Sequence, residues 1–592
     1  MPQQFKAERQ TPREGRFSWA FVWAVPGGLA FLAAWLAPNH YLPWVSFHNE
    51  AFAFAALGAF CCALLQRGQP LVWDRALWLP VVLVGVVWLQ WGAALVAYHG
   101  DAAMSSLYLT GFALAWWHGA NSYAPTHAAA RPGPGQGALA WFAGLVVAAA
   151  LAAVYIALLQ WLGREASIGL FVADQAPGAR PYSNLAQPNH LATLVAMALV
   201  MSAVLRVQRV VNLWQWHVLV GFLTLGLVLT QSRAGWLSAL VVGVLFLWRG
   251  RHEWGLGGRP AVVAWWALLA GALVVWRPLN EAMLLGTVRS ASVSALGQDT
   301  ARLTIWRQML AAIGESPWLG YGWRQTVVGQ KVGAAHVPGV MPTDYAHNVV
   351  LDVLLWLGLP LGLLLLGLLV WWLLVAFRRL QGPTQFLLFT GTMPVCVHSM
   401  VEFPFAFAYF LFPVGWMLGA LGMLQRGPPG WHGAGVLPKG WRGRWVAVSV
   451  VGLFMGVGGW TVVEYTLAEE DHRVMRFEMR RVGRVPDGYE APRLLLLNQL
   501  REMLELGRFQ PYPGMPPHEL ERMRVANRSF EWATLHMRYV VALGLNGQPE
   551  EATRQLESLR ALYGPRSYEQ ASAYFVALRD KQYPQLVAVK IP

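Results

Sequence analysis

Apolar runs of about 20 residues recur along most of this chain, and no other feature constrains its fold as tightly. Away from water only a helix or a closed barrel satisfies every backbone N–H and C=O, and runs of this length are the helical solution. About thirteen such spans can be counted, the first near 17–37 and the last near 445–465. The chain is therefore expected to be an all-α polytopic membrane protein. Its 592 residues are 56% hydrophobic and 13% charged, with 32 Trp and a mean hydropathy of +0.39. The net charge of +14 would suit nucleic acid in a soluble protein. Here the Lys and Arg residues read instead as anchors of cytoplasmic loops, with no nucleic-acid partner. The N-terminal stretch Lys6, Arg9, Arg13, Arg16 mimics a signal peptide, but its apolar run is long and more spans follow, so it reads as an uncleaved first span. Three Cys, two of them adjacent (Cys61 and Cys62), give neither a disulfide framework nor a zinc spacing.

With the N-terminus in the cytoplasm and the spans alternating, the inside loops collect Arg67 and Arg75, Arg206 and Arg209, Arg249, Arg251 and Arg259, Arg378 and Arg379, and Arg426, Lys439, Arg442 and Arg444. The short outside loops are almost free of Lys and Arg. Two larger pieces fall outside: the loop 277–346 and the segment 466–592. The chain thus divides into a transmembrane part, 1–465, and a charged C-terminal part, 466–592. Within the latter, Trp532–Tyr563 reads as helix, tight turn and helix, similar to one tetratricopeptide-like hairpin. That segment is a structural cap or a docking platform for an acceptor.

Polar motifs crowd the outside face. Gln187-Pro188-Asn189-His190 opens one span, with Pro188 at a first helical position where its missing N–H costs nothing. Gln231-Ser232-Arg233 opens another, with Ser232 as N-cap, and Arg233 departs from the charge bias of that side. Tyr345-Ala346-His347-Asn348 opens a long apolar helix from about Val349 to Phe377. Helix starts offer unpaired N–H groups and partial positive charge, a setting for an anion such as pyrophosphate. In the large loop, Asp299 is placed to cap a helix from about Thr300 to Ile313 whose apolar stripe is Leu303, Trp306, Leu310 and Ile313. Arg302, Arg307 and Gln308 lie off the stripe, as cations for a ligand or as a solvated face. Glu402 and Tyr409 follow near a further outward span end. Asp352, one turn below Asn348, is either a functional ionisable group or half of a helix-joining Asn–Asp pair.

Transfer of a group from a lipid diphosphate needs cations to hold the leaving pyrophosphate and a base for the acceptor hydroxyl. Arginine is the natural clamp because its planar fork meets phosphate oxygens in pairs. His347, at a helix start that favours the neutral form, has the residue type and place of a base. An interfacial histidine satisfied by water is the plain alternative. No D-x-D pattern, Walker loop or Gly-rich fingerprint is present, so no metal and no cofactor are expected.

Together, Gln187-Pro188-Asn189-His190, Gln231-Ser232-Arg233, the run from Arg302 through Trp306-Arg307 to Pro317-Trp318-Leu319-Gly320-Tyr321-Gly322, Tyr345-Ala346-His347-Asn348 and His398-Ser399-Met400-Val401-Glu402-Phe403-Pro404 resemble the O-antigen ligase and polymerase superfamily. The Gln-Pro-Asn and Glu-Phe-Pro elements look most like its bacterial O-linking protein oligosaccharyltransferases (PglL type). The resemblance implies a GT-C-like enzyme of the bacterial inner membrane, with a periplasmic loop and a periplasmic C-terminal domain. Such an enzyme moves a preassembled glycan en bloc from undecaprenyl pyrophosphate to Ser or Thr of a periplasmic protein such as pilin. On the matching positions His347 would engage the acceptor hydroxyl. Arg233, with Arg302 or Arg307, would hold pyrophosphate. Gln187, Asn189, His190, Tyr345, Asn348, Glu402 and Tyr409 would support the site. An O-antigen polymerase or a lipid A-core ligase shares donor and fold; a lipid-linked glycan transporter would spread its polar groups through the bilayer depth instead.

Overall fold

The structure is a computed structural model and describes residues 20–67, 71–123, 134–175, 179–283, 293–339, 341–426, 434–436, 441–480 and 489–592. The basic N-terminal stretch and Lys439 lie outside them. Nearly all regular structure is helical; the exception among the described residues is a short antiparallel pair, Val72–Asp74 with Ala434–Val436. Among the described residues, eight helices are long and apolar enough to cross a membrane, from Phe47–Gln66 to Gly443–Arg480, and Val22–Leu36 and Ala408–Leu424 are shorter apolar helices. The chain is a multi-pass membrane protein.

The membrane helices share one core, which includes Trp35, Leu139, Leu191, Met201, Leu223, Phe386 and Phe410. Small residues set its closest approaches, as expected where lipid provides no hydrophobic drive between helices. Helices His99–Ser122 and Ala408–Leu424 meet at paired glycines. A Cβ on Gly119 would lie 2.1 Å from the Trp416 carbonyl oxygen, and one on Gly419 would lie 2.0 Å from that of Trp116. Neither position accepts a side chain without separating the helices, a kind of overpacking that costs about 1–3 kcal/mol.

The helix expected to run unbroken from Val349 is interrupted at Gly358 (φ 73°, ψ 173°), two residues before Pro360. Pro360 has no N–H to give Trp356, so the break leaves carbonyls in need of donors. The loop 317–322 supplies them. Tyr321 N–H donates to Leu355 O (2.8 Å), Gly322 N–H to Trp356 O (3.2 Å), and Leu359 N–H turns to Pro317 O (2.7 Å). Gln90 Nε2 also donates to Trp356 O (2.9 Å). The Pro317–Gly322 motif is therefore a splint for a broken helix. Gly320 (φ 67°) fits because a Cβ there would sit 2.5 Å from Leu355 O.

The loop helix spans Val293–Glu315. It starts before Asp299, which lies inside it rather than capping it. The expected stripe is also rotated. Ile305, Gln308, Met309, Ala312 and Ile313 are buried, while Leu303 and Leu310 are exposed. Gln308 takes a core position because both ends of its amide are paired, Nε2 donating to Val337 O (2.9 Å) and Oε1 accepting from Gln330 (2.9 Å). The buried face joins Tyr321, Val328, Tyr345, Val353 and Trp356 in a separate small core.

Helix Trp441–Arg480 runs without a break past position 465, and a third core forms within 506–589. Helices Ala533–Leu545 and Pro549–Lys581 make the expected hairpin, turning at Gly547 (φ 74°). This part is fastened to the rest by named bonds. Glu464 accepts the N–H groups of Leu495, Leu496 and Leu497, Phe530 stacks on Tyr98 (5.5 Å), and Lys331 donates to the carbonyls of Asn527 and Phe530.

Candidate active site

Three helices, Pro188–Val207, Arg233–Arg249 and Val349–Arg378, start beside one buried carboxylate, Glu402. The cap residues explain the starts. Pro188 is the first helical residue, Ser232 Oγ accepts from Gly235 N–H (3.1 Å), and Asn348 Oδ1 accepts from Val350 and Leu351 (3.0 and 3.3 Å). Their convergence comes from tertiary packing.

Glu402 is 3% exposed. Its Oε2 accepts from His347 Nδ1 (2.7 Å), and its Oε1 accepts from Arg302 Nη2 and from Asn189 Nδ2 (3.4 Å). Asn189 Oδ1 in turn accepts from Ser232 Oγ (2.7 Å), one residue before Arg233. Burial alone would raise the Glu402 pKa. The His347 hydrogen bond and the charges of His347 and Arg302 outweigh it and hold the carboxyl down at about 2. Glu402 is thus an anion that ties together side chains from four distant stretches of sequence. With Nδ1–H committed to Glu402, His347 keeps Nε2 for a proton.

The loop carrying His347 is itself braced. His347 has φ 54°, a left-handed conformation uncommon for a residue with a Cβ. Ala346 N–H donates to Asp352 Oδ1 (2.9 Å) and Ala346 O accepts from Trp306 Nε1 (3.0 Å). Asp352 also accepts from Thr326 Oγ1 (3.0 Å), so it holds this loop and does not pair with the Asn348 side chain. Asn348 Nδ2 reaches Met400 O (3.1 Å) and Val349 N–H reaches Ser399 O (2.9 Å), joining the loop to the Glu402 turn.

The remaining expected residues divide. Arg233 is exposed at its helix start, next to Ser232. Arg307 is exposed, without a hydrogen bond or ion pair to any described residue; at 100° per residue it points well away from Arg302. Of the two loop arginines only Arg302 joins the cluster. Gln187 contributes its carbonyl, which accepts from His190 and Leu191, rather than its side chain. His190 is buried, with Nδ1 3.2 Å from the Tyr409 hydroxyl and its ring 4.5 Å from Phe407. Tyr345 is buried and stacked on Phe403 (4.7 Å), beside the cluster.

One participant escapes a reading of the sequence, and another enters it only as the first residue of a motif, with no role assigned. Arg180 Nη1 donates to Gln231 O (3.2 Å), which puts another cation beside the Ser232–Arg233 helix start. Its signal was available, as an arginine on a face otherwise poor in them. His398 is fully buried, with Nδ1 2.8 Å from Thr193 Oγ1, and it carries the carbonyl that accepts from Glu402 N–H. Among the described residues, no group of three His, Cys, Asp or Glu is placed to hold a metal ion. The assembly joins an oriented imidazole to a cationic rim at converging helix starts, suited to removing a hydroxyl proton beside a bound anion.

Comparison with known proteins follows the same geometry. Residues 217–366, which hold Arg233, Arg302 and His347, match a family described as O-antigen ligase. Residues 386–576, which hold Glu402 and Tyr409, match the C-terminal part of a virulence factor membrane-bound polymerase family. Residues 181–205, which hold Asn189 and His190, match a protein glycosylation ligase family. Over 555 residues the chain is 28% identical to a general O-oligosaccharyltransferase of Acinetobacter baylyi (strain ATCC 33305 / BD413 / ADP1), covering 90% of each protein. Over 252 residues it is 31% identical to a ComP-specific O-oligosaccharyltransferase of the same strain, covering 42% of this chain and 45% of that one.

Proposed function

Because the chain belongs to the O-antigen ligase superfamily, in its O-oligosaccharyltransferase branch, we propose that it transfers a preassembled glycan en bloc from a lipid diphosphate to Ser or Thr hydroxyls of proteins. The observation that carries this reading is the meeting of His347, Arg302 and Asn189 on Glu402. The acceptor hydroxyl gives its proton to His347 Nε2 while its oxygen bonds to the anomeric carbon. The bond from that carbon to phosphate breaks, and its electron pair leaves with the pyrophosphate. Arg233, Arg180 and Arg302, at the positive ends of the converging helices, stabilise the charge that develops there. Glu402 holds the His347 ring and balances the imidazolium that forms.

In this reading the donor lipid is undecaprenyl pyrophosphate and the acceptor a periplasmic, pilin-like protein. The enzyme lies in the inner membrane, GT-C-like, with about thirteen spans and its N-terminus in the cytoplasm. The loop 277–346 and the segment 466–592 are periplasmic, the latter as a tetratricopeptide-like helical domain. A second reading, an O-antigen ligase or polymerase, is favoured by the descriptions of the two longer family matches. The same chemistry would then act on a sugar hydroxyl. Purified protein given an undecaprenyl-pyrophosphate glycan, a pilin and a lipid A-core separates the two by mass spectrometry. Glycan on pilin Ser or Thr is expected; glycan on the lipid A-core, or an elongated donor, would overturn the protein acceptor.

A further inference from the structure

Behind the catalytic loop lies a second polar site that the chemistry above does not use. Arg324 sits in the loop after Gly322, with φ 61°. Its guanidinium carbon is 5.7 Å from the centre of the Tyr345 ring, which also stacks on Phe403. Asp344, the residue before Tyr345, lies within electrostatic reach of Arg324. Protein surrounds both side chains, yet both stay solvent-accessible, and burial raises the Asp344 carboxyl above its usual range. They therefore face a recess rather than open surface. Neither makes an ion pair or side-chain hydrogen bond with any described residue. Further walls carry Asp101 and Tyr108, both sensed by Arg324, and Glu531 of the C-terminal part, sensed by Asp344.

Arg324 and Asp344 attract one another, and Asp101 adds to the field that holds the Arg324 charge, but their hydrogen-bonding atoms are used by no described residue and stay open to water or a ligand. A backbone held in the left-handed region to present one of those charges adds strain of the kind that collects at functional sites. The recess also lies at a usable distance. Contacts of 5.0, 4.7 and 5.7 Å lead from His347 through Phe403 and Tyr345 to Arg324, a path that about five extended residues cover.

We propose that this recess receives the polypeptide that carries the acceptor hydroxyl. Arg324 holds an acidic side chain about four or five residues from the modified Ser or Thr, and Asp344 accepts from N–H groups of the same segment. A polypeptide is favoured over the glycan because the site offers full charges of both signs, which neutral sugar hydroxyls leave unpaired. The C-terminal helices then form the roof over the acceptor. The inference rests on the protein-acceptor reading above and supplies its specificity.

The test compares wild type with Arg324→Asn and Asp344→Asn. Asn tolerates a left-handed backbone, so the first variant removes charge without adding strain. Initial rates are measured with acceptor varied at saturating donor, and with donor varied at saturating acceptor. Loss of a charge-assisted contact should raise the acceptor KM about ten-fold or more, with donor KM unchanged. An unchanged acceptor KM would overturn the proposal. So would a rise in donor KM instead, which would make the recess a glycan site. Should Arg324→Asn fail to fold, wild type given acceptors with the flanking acidic residue replaced by Ala or Lys decides the matter through the same KM. If wild type glycosylates no protein, it is the underlying reading that falls, an outcome distinct from normal transfer with insensitive variants.

Discussion

Two polar clusters flank the Tyr345–Phe403 stack, and they are built in opposite ways. Around Glu402, Arg302, His347 and Asn189 are held in place by contacts made within the protein. Around Arg324, the charges of Arg324 and Asp344 stand accessible without such partners. Internal pairing fixes geometry before a ligand arrives, which suits chemistry that is the same at every turnover. Charges left to a ligand suit recognition of a partner that comes and goes. One wall of aromatic rings separates a preorganised site from a waiting one.

The contrast predicts unequal mutational effects. Glu402→Gln keeps the shape but removes the anion and misassigns the His347 tautomer, so kcat should fall about 10²- to 10³-fold. A smaller change in a transfer assay would mean that the pairing around Glu402 is structural only. Arg233→Lys keeps charge but loses the planar fork, and about a ten-fold loss of kcat/KM is expected. Arg307→Lys should stay near wild type, because Arg307 contacts none of the cluster.

Acid should separate the two clusters. Glu402 is depressed from 4.5 to about 2 in the folded protein, so its stabilising contribution is complete above pH 4.5 and is lost as pH falls towards 2. Asp344 is raised above its usual 3.8, so it takes up its proton at higher pH. On acidification the acceptor KM should therefore rise before donor KM or thermal stability changes; the reverse order would break the comparison. Lys331→Met removes donors to Asn527 O and Phe530 O. It should speed hydrogen exchange at 527–531 and raise the acceptor KM only a few-fold, by roughly one lost hydrogen bond. EDTA should leave turnover unaltered, because the phosphate site we propose is cationic; loss of activity restored by magnesium would contradict that.

Much of this was legible in the sequence because it depends on local rules. Apolar runs marked the membrane helices, and Pro188 and Ser232 marked two helix starts. What failed was phase and tertiary geometry. The Leu303–Trp306–Leu310–Ile313 stripe misjudged the loop helix because Gln308, a polar residue, is satisfied inside the core. Without that phase Arg302 and Arg307 were indistinguishable. The break at Gly358 had a local signal in Gly358-Leu359-Pro360, but its repair by Tyr321 and Gly322 comes from another segment. Glu402 as the hub of four stretches, and the recess at Arg324, exist only once those stretches pack, so no spacing along the chain announces them.

The central claim is that His347 does chemistry at a donor site built by other residues. It is tested most directly by measuring donor affinity and single-turnover glycan transfer for His347→Ala beside wild type. The account predicts donor affinity within a few-fold of wild type and transfer reduced by about 10³-fold or more, the contribution of a positioned base. Near-normal transfer, or loss of donor binding alone, would contradict it.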